Sequence, residues 1–162
     1  MEIFMSLHTA EVTWSRGSSA FLDSKYSRVH RWSFDGGATI PASSSPHVVP
    51  VPYADPACVD PEEAFVAALS SCHMLFFLSL AAKAGFVVDT YLDRAEAAMG
   101  KNDEGKLAIT RVMLKPVIEF SGDSRPTQEQ VDKLHHNAHE SCFLATSVKT
   151  DIGVSGSWTH RR

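Results

Sequence analysis

Cys72 stands in Ser70-Ser71-Cys72-His73, at the centre of a stretch from Ala64 to Ala82 that holds no Asp, Glu, Lys or Arg, and Cys142 ends His139-Glu140-Ser141-Cys142. If the fold brings them together they form a redox pair, because a thiolate attacking an oxidised sulfur closes a disulfide. A thiol in an apolar helix stays inert unless a cation or a hydrogen-bond donor stabilises its thiolate. Small polar groups and an imidazole amid apolar residues cost about 1–3 kcal/mol each when unpaired, a cost usually tolerated for a site. The bland alternative is burial alone, since free cysteine is among the most buried residue types.

Glu62 precedes Cys72 by ten residues, about 15 Å along a regular helix, too far to touch the sulfur. An arginine could bridge them, its planar guanidinium holding the carboxylate with one edge and a thiolate with another. The competing reading of Glu62 is a carboxylate serving the helix dipole. His135, His139 and Cys142, spaced four and three apart, share a helical face, which suits a transition metal, so a His/Cys metal site stays open. Cys58, two residues before the helix start, reads as a bystander.

Asp60-Pro61-Glu62-Glu63 opens a helix, with Asp60 as N-cap, Pro61 at the first position and Glu63 completing a capping box. The helix should run from Pro61 to about Ala84, with Gly85 as its stop, buried all round. Its length would also allow a membrane span, but the polar centre and the amphipathic strands on both sides favour a protein interior. Ala10, Val12 and Trp14 alternate with polar residues as a strand with one buried face. Val29 to Phe34 is a second strand ending at Asp35-Gly36-Gly37. Pro41 to Pro61 carries six of the eight prolines and reads as an ordered loop or a lid.

Phe86–Met99 and Lys106–Phe120 flank a Lys101–Gly105 turn as one long hairpin. Val112, Leu114, Ile118 and Phe120 share one face, and Pro116 marks an edge or bulge. Thr127 and Gln130 form a capping box for a second helix whose inward face holds Val131, Leu134, Ala138 and Cys142. Ser147 to Trp158 alternates as a final strand. The order gives an α+β class, with residues 1–8 as a disordered leader and 9–162 as one domain.

A chain of 162 residues, 44% hydrophobic, suffices for one core and often completes its burial with a partner. An uncovered apolar face of the first helix, Ala67, Ala68, Leu75, Leu78 and Ala82, points to a second subunit. A net charge of -4 with no basic run excludes an electrostatic footprint for nucleic acid or anionic lipid. Three cysteines without a CxxC pair and no signal-like start read as a cytoplasmic protein.

Asp60-Pro61-Glu62-Glu63, Ala67–Met74, Ala138–Cys142, Tyr26–His30 and Phe34–Gly37 together resemble the OsmC/Ohr family of thiol-dependent peroxidases, in its OsmC-like subgroup, from about Thr9 to Trp158. The resemblance implies an intertwined homodimer with its long helices buried at the centre, antiparallel sheets around them and active sites at the subunit interface. It implies reduction of organic hydroperoxides in an oxidative stress response, with Cys72 peroxidatic, Cys142 resolving, and Glu62 orienting an arginine. Arg28 fits that arginine best, with Arg31 and Arg16 behind it. No cofactor or metal is implied; the reductant would be a dithiol, a lipoyl protein being one candidate. One position departs: Phe143 stands where proline usually follows the second cysteine.

Overall fold

The computed structural model describes residues 6–161, so most of the expected leader lies outside the described residues. The chain divides into two compact units, Met1–Ala64 and Phe65–Arg162.

In the first unit, β1 (Ala10–Thr13), β2 (His30–Phe34) and β3 (Thr39–Ala42) form an antiparallel sheet in that order. Val12 and Ile40 flank Trp32 in register. β1 alternates as expected, yet all four of its residues are exposed, so the expected buried face is not buried in the single chain. Trp14, Phe21 and Tyr26 cluster in the loop between β1 and β2, with Phe21 stacked on Tyr26 at 4.7 Å. The Pro-rich loop is ordered by its own hydrogen bonds: the Asp55 N–H donates to Ser43 Oγ, and Ala42 bridges Val59. It ends in the expected capping box, where the Glu63 N–H donates to Asp60 Oδ1 at 2.7 Å and the Asp60 N–H to Glu63 Oε2 at 3.2 Å.

From this cap α1 runs from Pro61 to Lys83. Gly85 stops it at φ 82, and the Phe86 N–H returns to Ala81 O, a Schellman arrangement that a side chain at Gly85 would strain. Length and composition would let α1 cross a membrane. Its buried residues are Leu69, His73, Phe77 and Ala81, one per turn. Burial all round is thus corrected for the single chain: one stripe is covered, because packed elements reach only one face. Ala67, Ala68, Leu75 and Ala82 are exposed and Leu78 is half-buried.

The expected long hairpin is split. β5 (Glu96–Lys101) and β6 (Leu107–Leu114) pair around the predicted turn, while β4 (Val87–Asp93) and β7 (Pro116–Ser121) pair in a different sheet. The break has an identifiable cause. Pro116 has no N–H to offer, and the Lys115 N–H goes to Asp93 Oδ1 at 2.6 Å. Pro116 therefore opens β7, which is a central strand rather than an edge.

The expected final strand breaks at the matching place, into β8 (Asp151–Val154) and β9 (Ser157–His160) after a 3-10 turn at Ala145–Ser147. β8 lies parallel to β6 and β9 parallel to β7, so these two sheets are mixed and the expectation of antiparallel sheets is corrected for both. Between them the Ser155 N–H donates to Leu114 O, and a Cβ on Gly156 would collide with the Pro116 carbonyl. Two neighbouring chain segments thus cross together from one sheet into the other.

α2 (Gln128–Ser141) carries the expected Thr127/Gln130 capping box and buries Val131, Leu134 and Ala138. These pack with Phe77, Ala81, Ile118 and Phe120 in one cluster; Leu69, Val112 and Leu114 form another. Val112, Leu114, Ile118 and Phe120 do share an inward face, but they serve two clusters because the strand is interrupted.

Candidate functional site

Cys72 and Cys142 meet. Cys72 is half-buried at the middle of α1, and Cys142 is 1% exposed. Cys142 is the C-cap of α2, with φ -71 and ψ 111, so it stands just past the helix in which the sequence placed it. The cap follows from chemistry at this turn: the Cys142 N–H donates to His139 O, its carbonyl accepts from the Thr146 N–H, and its sulfur accepts from the Ala145 N–H at 3.4 Å. The Cys142 thiol donates to Cys72 Sγ at 2.6 Å. Burial, and then that bond to Cys72, push the Cys142 thiol up from its ordinary pKa, while the Ala145 and Leu144 N–H groups pull it back. The two sulfurs are in close contact.

Cys72 also opens onto a groove of about 480 Å³ lined by Ala68, Ser71, Leu75, Phe76, Phe143 and Leu144 among others. Phe143 stands edge-on to Phe76 at 5.2 Å, so the aromatic found in place of proline forms part of this wall. The lining is almost wholly apolar, and its polar groups are the sulfur and serine hydroxyls.

Next to Cys72 on α1, His73 is 2% exposed and its Nε2 lies 3.0 Å from His135 Nδ1 on α2. The rings are nearly parallel, 10° apart, and Phe77 packs on His135 with centroids 4.5 Å apart. Burial first, then the charges of His135 and His139, lower His73 to about 4. Burial lowers His135 to about 4 against the pull of Asp132 and Asp93. Both imidazoles are therefore neutral at pH 7, and one must donate while the other accepts. His73 could have been found in the sequence: with Leu69, Phe77 and Ala81 it completes an inward i, i+4 series. Asp93 could not, because its partners, Ser70 Oγ at 2.5 Å and the Lys115 N–H, come from distant segments.

The metal reading is corrected. His135 turns to His73 and Cys142 to Cys72, and among the described residues no three His, Cys, Asp or Glu side chains converge to hold an ion. Burial, and then the Asp55 carboxylate, push the Cys58 thiol up from its ordinary pKa.

In the first unit, Glu62 is the second residue of α1, and its Oε2 is buried without a hydrogen-bond partner. Arg28 donates to Ser24 O and Tyr26 O and lies 3.8 Å over the Tyr26 ring; it forms no ion pair with Glu62 in the single chain. Arg16 donates to Ser19 O, and Arg31 lies on β2.

Known proteins share this arrangement of elements. Residues 54–155 match the family model described as OsmC-like protein, and the chain belongs to the OsmC-like family. An OsmC-like protein of unknown function from Vibrio cholerae is 57% identical, with a TM-score of 0.93 over 94% of this chain and 100% of that one. An OsmC-like protein from Mycoplasma pneumoniae has a TM-score of 0.71 at 12% identity, over 96% of this chain and 99% of that one. The organic hydroperoxide resistance protein OhrB of Bacillus subtilis has a TM-score of 0.60 at 17% identity, over 95% of this chain and 100% of that one. These last two likenesses concern the fold alone. A comparison with proteins of curated function finds no match.

Proposed function

We propose that the protein is a cysteine-based peroxidase that reduces organic hydroperoxides. The observation that carries this reading is the Cys142 thiol donating to Cys72 Sγ at 2.6 Å beside an apolar groove. The Cys72 thiolate attacks the outer peroxide oxygen: an S–O bond forms, the O–O bond breaks, and the departing alkoxide takes a proton and leaves as the alcohol. Cys142 then attacks the sulfenic sulfur. The S–S bond forms, the S–O bond breaks, and the thiol proton leaves with the hydroxyl as water. A dithiol, a lipoyl protein being the first candidate, restores both thiols by two exchanges and is itself oxidised.

Cys72 suits attack because it is half-buried and opens onto the groove, whereas Cys142 is buried and suits resolution. The apolar wall favours alkyl over hydrogen peroxide, since desolvating a small polar peroxide there brings no compensating contact. The orphaned Glu62 Oε2 is an acceptor suited to a guanidinium, from Arg28 or from Arg31 or Arg16, which would stabilise the thiolate and the charge developing on the peroxide.

A cytoplasmic homodimer completes this reading. The exposed Ala67, Ala68, Leu75 and Ala82 of α1 and the exposed faces of β1 leave apolar surface that a second subunit would cover. The test is consumption of an alkyl hydroperoxide in the presence of dihydrolipoamide by wild type and Cys72→Ser. The reading expects turnover only in wild type; equal rates would overturn it.

A further inference from the structure

We propose that His73 and His135 are positioning residues, whose hydrogen bond registers α1 against α2 and so keeps Cys142 within reach of Cys72. This inference rests on the Cys72–Cys142 disulfide of the reading above and names what holds its partners together.

Cys72 and His73 are neighbours on α1. His135 and Cys142 are seven residues apart along α2 and its cap, two turns, so they share one face about 10 Å apart. The imidazole pair and the sulfur pair are therefore two ties between the same two elements, one permanent and one made and broken by redox chemistry. Among the described residues, His73–His135 is the only side-chain hydrogen bond joining the bodies of the two helices.

The two helices also share one buried apolar cluster, to which α1 gives Phe77 and Ala81 and α2 gives Val131, Leu134 and Ala138. The hydrophobic term behind such packing is non-directional. A disulfide is directional: its sulfurs must close to about 2.05 Å with Cα atoms within about 7 Å. Cys142 is held in its turn by hydrogen bonds through its N–H, its carbonyl and its sulfur, but their partners all lie on α2 or the turn after it, so they fix Cys142 relative to α2 and not to α1. The imidazole bond supplies the direction. His73 is 2% exposed, so losing its partner on His135 leaves a buried imidazole nitrogen unpaired.

The experiment measures the equilibrium between the Cys72–Cys142 disulfide and dithiol in glutathione redox buffers, by peptide mapping, on the full chain carrying Cys58→Ser. Circular dichroism checks that each variant is folded. His135→Asn keeps a polar atom at the Nδ1 position, and His73→Gln keeps one at Nε2; His135→Leu and His73→Leu remove them. The expected result is that the Leu variants lower the disulfide equilibrium constant at least about tenfold, raising the potential by about 30 mV. The Asn and Gln variants should stay within about threefold of wild type. If the Leu variants do not fold, the Asn and Gln variants decide, and a tenfold loss in both overturns the inference. So does a wild-type constant in a folded Leu variant, or failure of wild type to form this disulfide at any glutathione ratio. A protein that forms the disulfide with the expected variant pattern but is inert to hydroperoxide refutes the peroxidase reading and leaves this one standing.

Discussion

Cys142 donates its thiol hydrogen to Cys72 across 2.6 Å, yet the two sulfurs stand in unlike surroundings: Cys142 is buried in the cap of α2, and Cys72 lines a groove. On the proposed reading, that asymmetry gives attack to Cys72 and resolution to Cys142. Cys142→Ser should therefore leave one round of hydroperoxide reduction intact while abolishing turnover, and a sulfenic acid on Cys72 should accumulate and be trapped by dimedone. Equal loss of the first round in Cys142→Ser and Cys72→Ser would contradict the assignment.

The buried imidazoles make stability depend on pH. His73 and His135 are held near 4 in the folded chain against about 6.5 unfolded, so between those values the unfolded chain binds protons that the folded chain refuses. Their stabilising contribution is complete above pH 6.5 and is lost as pH falls toward 4. The slope is on the order of 1.4 kcal/mol per pH unit for one imidazole. Urea melts at pH 7.5 and 4.5 should show a lower midpoint in acid, and His73→Gln with His135→Asn should reduce that difference.

Gly156→Ala should destabilise the protein by about 1–3 kcal/mol, because the new methyl meets the Pro116 carbonyl where two chain segments change sheets together. Gly36→Ala, with nothing near its Cβ position, is the control and should cost much less. Thermal melts of the two variants check this.

Those paired crossings were the part of the fold least legible in sequence. Alternation along Lys106–Phe120 and Ser147–Trp158 was correct for which side chains face inward, since period-2 patterning survives an interruption. It said nothing about Lys115 and Ser155, where hydrogen bonds to Asp93 and Leu114 redirect the chain, because those partners are remote. Helix starts were legible because Asp60/Glu63 and Thr127/Gln130 act within one turn. At the site, the sulfur pair and the inward His73 could be read from type and spacing. The pairing of His73 with His135 rather than with a metal could not, because it depends on where two helices cross.

The exposed face of α1 should be a dimer interface. Leu75 is 60% exposed in the single chain, and burying such apolar surface contributes on the order of 25 cal/mol per Å². Sedimentation at micromolar concentration should give twice 17.7 kDa, with a melting temperature that rises with protein concentration, and Leu75→Glu should shift the species toward monomer. A folded wild-type monomer would refute the interface.

The most direct test of the whole account is the product of one equivalent of alkyl hydroperoxide with the fully reduced protein, read by intact mass and peptide mapping. The account predicts loss of two hydrogens and a single linked peptide pair joining Cys72 to Cys142. An unchanged mass, or a disulfide that draws on Cys58, would contradict it.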